Sequence, residues 1–178
     1  MNSQRLVLDS SPLNYFTRSG QLPTLAKLLD GWTCVITRAV EDELLCGASK
    51  HAQLYQATAQ PWITMVDEAP LGYLPIFSLW HDRLGGTERN VGEATVLAYA
   101  EFHGITAMVD DRLGRQHGTK RGVSKTGTLE ALCQGVRQHV LDVEQAAAVV
   151  ELLCDHEAYL PCDGPGFYEW AQARGLLD

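Results

Sequence analysis

Five acids stand where several carboxylates can converge. Asp9 ends the apolar run RLVL, Asp110 and Asp111 follow ITAMV, Glu43 lies in AVEDELL, and Glu93 lies in NVGEATVLAYA. Parallel α/β sheets form their sites beyond the carboxyl ends of the strands. Asp9, Asp110 and Asp111 occupy such ends, Glu93 opens the helix leading into ITAMV, and Glu43 lies on the helix after TCVIT. Mg²⁺ and Mn²⁺ are hard cations that take carboxylate oxygens and water, so converging acids suit them. One or two such ions can activate an attacking oxygen and stabilise a leaving one in phosphodiester cleavage. Plainer readings exist for the single acids. Asp9 can cap the helix that follows, and Glu43 can belong to a solvated face with Glu41 and Asp42. Glu93 lies in a first turn, where the macrodipole favours a carboxylate. The adjacent Asp110 and Asp111 are harder to explain without a cation nearby, because like charges repel.

The elements that would carry these acids alternate. RLVLD (5–9) reads as a buried strand, and Ser10-Ser11-Pro12 as a helix start. Helical sequence then runs to about Leu29, divided near Gly20 and Pro23. TCVIT (33–37) is a second, β-branched strand, followed by a helix over 38–45 that ends at Gly47. WITMV (62–66) is a third strand, and Pro70 and Pro75 mark loops. A helix from about Asn90 stops at Gly104, ITAMV (105–109) is a strand, and a basic helix follows. GVSKTG (122–127) contains a short strand, and Thr128 caps a helix reaching about His139. Asp142 and Gln145 form a capping box before AAAVVELL, and FYEWAQARGLL is a last short helix. Strands alternating with helices predict an α/β/α sandwich with a mostly parallel central sheet. Residues 1–140 are expected to form the main domain and 141–178 a helical extension packed on it.

Composition sets the bounds. The 178 residues suffice for one sizeable core, and 46% hydrophobic with 20% charged residues is ordinary for a globular chain. No run approaches the roughly 20 apolar residues of a membrane span. The N-terminal MNSQRLVLD does not read as a signal peptide. Five cysteines without a CxxC pair fit a reducing cytoplasm. The net charge of −8 argues against a general nucleic-acid binder. It is unevenly spread, however. Arg112, Arg115, Lys120, Arg121 and Lys125 fall within residues 112–125, RLGRQHGTKRGVSK, which hold no acid. Directly after an aspartate pair, this stretch is expected to steer phosphates in, with Arg112, Arg115 and Lys120 touching the backbone of a nucleic acid.

LVLDSSPLNYF, ITRAVEDELL, NVGEATVLAYA and TAMVDDRLGRQHGTKRGVSKTGTLEAL together resemble the PIN-domain family, which includes the VapC-type toxin ribonucleases. The resemblance covers roughly residues 5–135 with four motifs in the family's order. It matches Asp9 and Ser11 to the strand-ending acid with a hydroxyl two residues on. It places the second family acid on Glu43 and the Gly-Glu pair on Gly92 and Glu93. The DDR element falls on Asp110, Asp111 and Arg112, and the Gly-Thr on Gly127 and Thr128. Many PIN toxins carry Asp where Glu93 stands, and the run Glu41-Asp42-Glu43 leaves the second assignment open by a residue or two. The resemblance implies the fold, a divalent metal and ribonuclease action. Asp9, Glu43, Glu93 and Asp111 are then the expected catalytic acids, Asp9, Glu93, Asp110 and Asp111 the metal-holding ones, and Ser11 and Thr128 lie on the substrate side.

The implied partners are RNA, a second copy of the chain and, for a toxin, an antitoxin protein, with no membrane. QAAAVVELL offers an apolar face for the second copy. One rival is a phosphoacceptor domain, which carries paired acids after the first strand and a late Lys; here the pair comes late. The other is a PIN-like module that binds RNA or protein without cutting. Neither GxSxG, GxxxxGK[ST] nor GxGxxG occurs, and Cys154, His156 and Cys162 lack a fourth metal ligand at suitable spacing. The four tryptophans read as core or dimer contacts.

Overall fold

The structure, a computed structural model, describes residues 4–67 and 70–178. Residues 1–3, the head of the N-terminal stretch considered above, and residues 68–69 lie outside the described residues. Strand β1 (Gln4–Leu8) fully buries Leu6, Val7 and Leu8, and β2 (Trp32–Thr37) buries Cys34, Val35 and Ile36. Such runs, apolar on both faces, suit a parallel sheet covered by helices. Helices α1 (Ser10–Arg18) and α2 (Leu22–Leu28) carry the chain from β1 to β2. Helices α3 (Arg38–Gly47) and α4 (Tyr55–Thr58) lead on to β3 (Ile63–Val66). Helices α5 (Tyr73–Arg83) and α6 (Val91–His103) cross back to β4 (Thr106–Met108). Then come α7 (Arg112–Arg121), β5 (Lys125–Thr126), α8 (Thr128–Arg137), α9 (Val143–Asp155) and α10 (Phe167–Gln172). The strands lie in the order β3-β2-β1-β4-β5, and every neighbouring pair is parallel. This is the α/β/α sandwich expected, with a wholly parallel sheet.

Central β1 decides where a site can lie. The chain leaves it toward β2 and β3 on one side, then returns to build β4 and β5 on the other. Connections therefore run in opposite directions from the carboxyl ends of β1 and β4, which opens a crevice there. The Asp9 N–H donates to the Met108 carbonyl at 3.0 Å, so Asp9 and residues 109–111 emerge side by side.

Three local expectations are revised. Pro75 does not mark a loop; it sits in the first turn of α5, where a missing N–H removes no helical bond. Helix α5 packs along α6, and its fully buried Trp80 donates its indole N–H to Glu101 at 2.8 Å. Thr128 does not cap α8: Gly127 holds that position and Thr128 is the first helical residue. The capping box of α9 forms as expected, with Asp142 accepting from the Gln145 N–H at 2.7 Å and Gln145 from the Asp142 N–H at 3.0 Å. Yet Ala146, Val149, Val150 and Leu153 of that helix are buried within the chain, beside α8 and α1. The face expected to meet a second copy is already covered. Among the described residues no helix is long and apolar enough to cross a membrane, and all five cysteines are free.

Candidate active site

Asp9 leaves β1 at the start of α1 with only 4% of its surface exposed. Burial pushes its carboxyl up to about 7, the Glu43 charge adds to the rise, and the backbone N–H groups of Ser10 and Ser11 offset part of it. Glu43 arrives from α3, which starts without a linker after β2 because the Thr37 side chain caps it, accepting from the Val40 N–H at 3.3 Å. The Glu43 carboxylate accepts from the Ser10 hydroxyl at 2.7 Å and from the Gly92 N–H at 3.1 Å. Of the three consecutive acids on α3, Glu43 is thus the one turned toward α1 and α6. Glu41 instead pairs with Arg38 at 2.6 Å, and Asp42 is exposed.

Glu93 lies in the first turn of α6 and is the centre of the group. Its Oε1 is buried with no hydrogen-bond partner. Burial first, then the charges of Asp9, Asp111 and Glu43, push this carboxyl up to about 8. Two glycines make the room. A Cβ on Gly114 of α7 would overlap the Glu93 carboxylate, and a Cβ on Gly92 would overlap that of Glu43. Gly92 and Gly114 thus leave the space that these two carboxylates fill.

The two adjacent aspartates part company. Asp111 is exposed and caps α7, its Oδ1 accepting from the Leu113 N–H at 2.7 Å and the Gly114 N–H at 3.2 Å. Asp110 turns the other way, and both its oxygens are taken by Thr128, from the backbone N–H at 2.7 Å and the hydroxyl at 2.6 Å. Burial raises the Asp110 carboxyl, while Thr128 and the Arg115 guanidinium hold it down. Thr128, expected on the substrate side, is fully buried with its hydroxyl committed to Asp110.

The basic stretch is less free than its composition suggests. Arg115 directs its guanidinium inward, to the Val109 carbonyl at 3.0 Å and to an ion pair with Glu130. Arg121 pairs with Glu101 and lies over the Trp80 ring, 5.7 Å from its centroid. Lys125 is held below its usual value, by burial first and by Arg115 second. Arg112 and Lys120 are exposed.

Ser10, Tyr15 and Glu130 belong to the site's surroundings and were not singled out in the sequence. Tyr15 is half-buried beside Asp110 and Asp9; burial first, then those charges, raise its hydroxyl, and the Tyr159 backbone and Ser11 offset part of the rise. The Ser11-Tyr15 spacing of four residues puts both on one face of α1, a signal available in the sequence. Glu130 carried none, since its partner is set by the fold.

Asp9, Glu43, Glu93 and Asp111 thus share one field at the β1–β4 crevice. Among the described residues, Asp9, Glu43 and Glu93 form no salt bridge. Nor, among the described residues, do any three Asp, Glu, His or Cys side chains stand close enough together to hold a metal ion. The buried, unbonded Glu93 oxygen among ionisable neighbours nevertheless fits a cation by its chemistry. Such a group is raised in free energy until a positive charge offsets the repulsion.

Residues 5–163 match a protein family described as the PIN domain. The match runs past residue 140 and takes in α9. No curated protein matches the chain.

Proposed function

This chain belongs to the PIN-domain family, and on that premise we propose that it is a divalent-metal-dependent endoribonuclease using Mg²⁺ or Mn²⁺. PIN domains are generally nucleases, and the observation that narrows the reading is Glu93. A buried carboxyl raised to about 8, with an unbonded oxygen and three acids acting on it, is a poor structural element and a good cation ligand. In this reading Asp9, Glu43, Glu93 and Asp111 hold the ion or orient what it activates. Asp110 supports them through Thr128. A bound divalent cation would supply the positive charge that lets these acids ionise together and would make water a stronger attacking group. Ser10 and the Gly92 N–H keep Glu43 aimed at α6. Ser11 stands on the substrate side of Asp9.

The test is cleavage of single-stranded RNA with Mg²⁺ or Mn²⁺, with and without excess chelator. Cutting that needs the metal supports the proposal. Binding without cutting under every metal condition supports the RNA-binding module instead.

Arg112, exposed at the start of α7 next to Asp111, and Lys120, exposed in its last turn, are the residues proposed to meet RNA phosphates. An acidic crevice repels the substrate it must cut, so a cationic approach has to neutralise the backbone. Replacing both with Ala is expected to weaken RNA binding and to flatten its log-log salt dependence by roughly 0.7 per lost contact. Metal binding should stay as in the parent. An unchanged salt slope removes these two residues from the substrate path.

As a toxin the chain would act in the cytoplasm, self-associate and be held by an antitoxin protein. With α9 covered, a second copy would have to use another face. Light scattering at micromolar concentration should give twice the 19.6 kDa of one chain. A mass of one chain removes the dimer, and failure to co-purify with the product of an adjacent gene removes the toxin pairing.

A further inference from the structure

We infer that Arg115 and Glu130 form a positioning pair that holds Asp110 at the active edge, and that Arg115 does not hold RNA. The inference rests on the ribonuclease reading for its consequence in rate, though not for its structural content. Arg115 lies one turn into α7, yet its side chain turns back toward the sheet. One guanidinium nitrogen donates to the Val109 carbonyl at 3.0 Å, the residue directly before Asp110. Another pairs with Glu130 in the first turn of α8. The guanidinium therefore ties the exit of β4 to the start of α8, the two segments that Asp110 also joins through its bonds to Thr128.

Gly127 shows how closely these groups gather. A Cβ placed there would lie 2.6 Å from Arg115 Nη1, 2.8 Å from Asp110 Oδ1 and 2.8 Å from Glu130 Oε2. Its φ of −144° is extended backbone open to any residue, so what the glycine gives these side chains is space and not conformation. Arg115 and Glu130 each keep only 28% side-chain exposure, and Lys125 borders the same group. Two acids and two bases thus form a nearly neutral cluster behind the metal-seeking acids. A guanidinium suits the place because its fixed fork serves a carbonyl and a carboxylate together. A lysine can reach only part of that geometry.

The loss of Arg115 leaves a carbonyl without its donor and Glu130 half-buried without a partner. The chain between β4 and α7 then has fewer restraints, and Asp110 with Asp111 drifts. Misplacement by about 1 Å can lower a rate by roughly 100-fold.

The experiment compares Arg115→Ala, Arg115→Lys, Glu130→Gln and the Arg115→Ala/Glu130→Gln pair with the parent chain, under metal-supported cleavage. We expect Arg115→Ala and Glu130→Gln each to lower kcat roughly 10- to 100-fold. KM for RNA and the salt slope of binding should stay within about twofold of the parent, and Arg115→Lys should recover part of kcat. The double variant should be little worse than either single one, as two halves of one contact are. In parallel, hydrogen exchange at the Thr128 amide, which reports the Asp110 bond directly, should lose protection in Arg115→Ala while β1 amides keep theirs. A raised KM with a flattened salt slope and intact kcat overturns the proposal in favour of an RNA contact. Unchanged Thr128 protection overturns it even if the parent cuts no RNA. Should Arg115→Ala fail to fold, Glu130→Gln and Arg115→Lys carry the same comparison.

Discussion

Asp9→Asn and Asp111→Asn are each expected to reduce metal-supported RNA cleavage by well over the roughly 10- to 100-fold seen when outer-shell partners of a metal are lost. The structure makes both substitutions sharp. Asp111 caps α7 through Oδ1, and an Asn oxygen caps a helix about as well as Asp. Asp111→Asn therefore keeps the helix start and removes the charge alone. Asp9 is nearly fully buried, and Asn fills the same volume, so the exchange leaves no cavity. Glu93→Gln should be as damaging, since its carboxyl stands in the field of Asp9, Asp111 and Glu43. Asp110→Asn should be milder than Asp111→Asn, because Asn can still accept one of the two Thr128 bonds. Initial rates with each variant under saturating Mn²⁺, with circular dichroism to confirm the fold, give the answer. Parent-like activity in Asp9→Asn or Asp111→Asn, or undiminished cutting by the parent in excess chelator, sinks the mechanism.

These expectations lean on side chains whose positions were unequally legible in the sequence. The strand-ending acids were the readable part. RLVL and TAMV are apolar runs bounded by helix signals, and a charged residue at the end of a buried parallel strand has few places to go but the crevice. Once β1 is central, Asp9 and residues 110–111 must be neighbours. The resemblance put the second acid on Glu43 but left it open by a residue or two among three consecutive acids. What distinguishes Glu43 in the structure is the packing of α3 on α6, which brings the Gly92 N–H within 3.1 Å of that carboxylate. Helix α5 escaped notice because Pro75 reads as a breaker unless its place in the first turn is known. The basic run 112–125 was legible as charge but not as function. Pairing with Glu130 and Glu101 draws in Arg115 and Arg121 through partners fifteen and twenty residues away, and no local pattern encodes them. For the same reason the apolar face of α9 could be seen, while the identity of what covers it could not.

Without divalent cations the chain should lose stability as pH rises from about 5.5 to 8.5, by an amount that adding Mg²⁺ or Mn²⁺ reverses. The sign follows from the two raised carboxyls. Asp9 moves from 3.8 to about 7 and Glu93 from 4.5 to about 8 on folding. Between those values the folded chain binds protons that the unfolded chain has released, so stability falls with increasing pH across that window and levels off above it. Each group acting alone would contribute about 1.4 kcal/mol per pH unit. Because the two repel each other and relax together, a combined loss on the order of 3 kcal/mol is the sensible scale, or roughly 6–12 °C in melting temperature. Groups shifted the other way do not obscure the trend. Glu101 is held below its usual value by Arg121 and by the Trp80 indole N–H, so its contribution is lost only as pH falls through the acid range, below this window. A cation that binds the folded chain adds stability by mass action and removes the repulsion at its source. Glu93→Gln and Asp9→Asn should therefore melt higher than the metal-free parent at pH 8, show a flatter pH dependence, and gain little from added metal. Thermal melts at pH 5.5 and 8.5, with chelator and with Mn²⁺, separate these cases. A metal-free melting temperature that is level or rising toward pH 8.5, or a Mn²⁺ shift as large in Glu93→Gln as in the parent, means that these acids do not form the cation site and that their burial serves the fold alone.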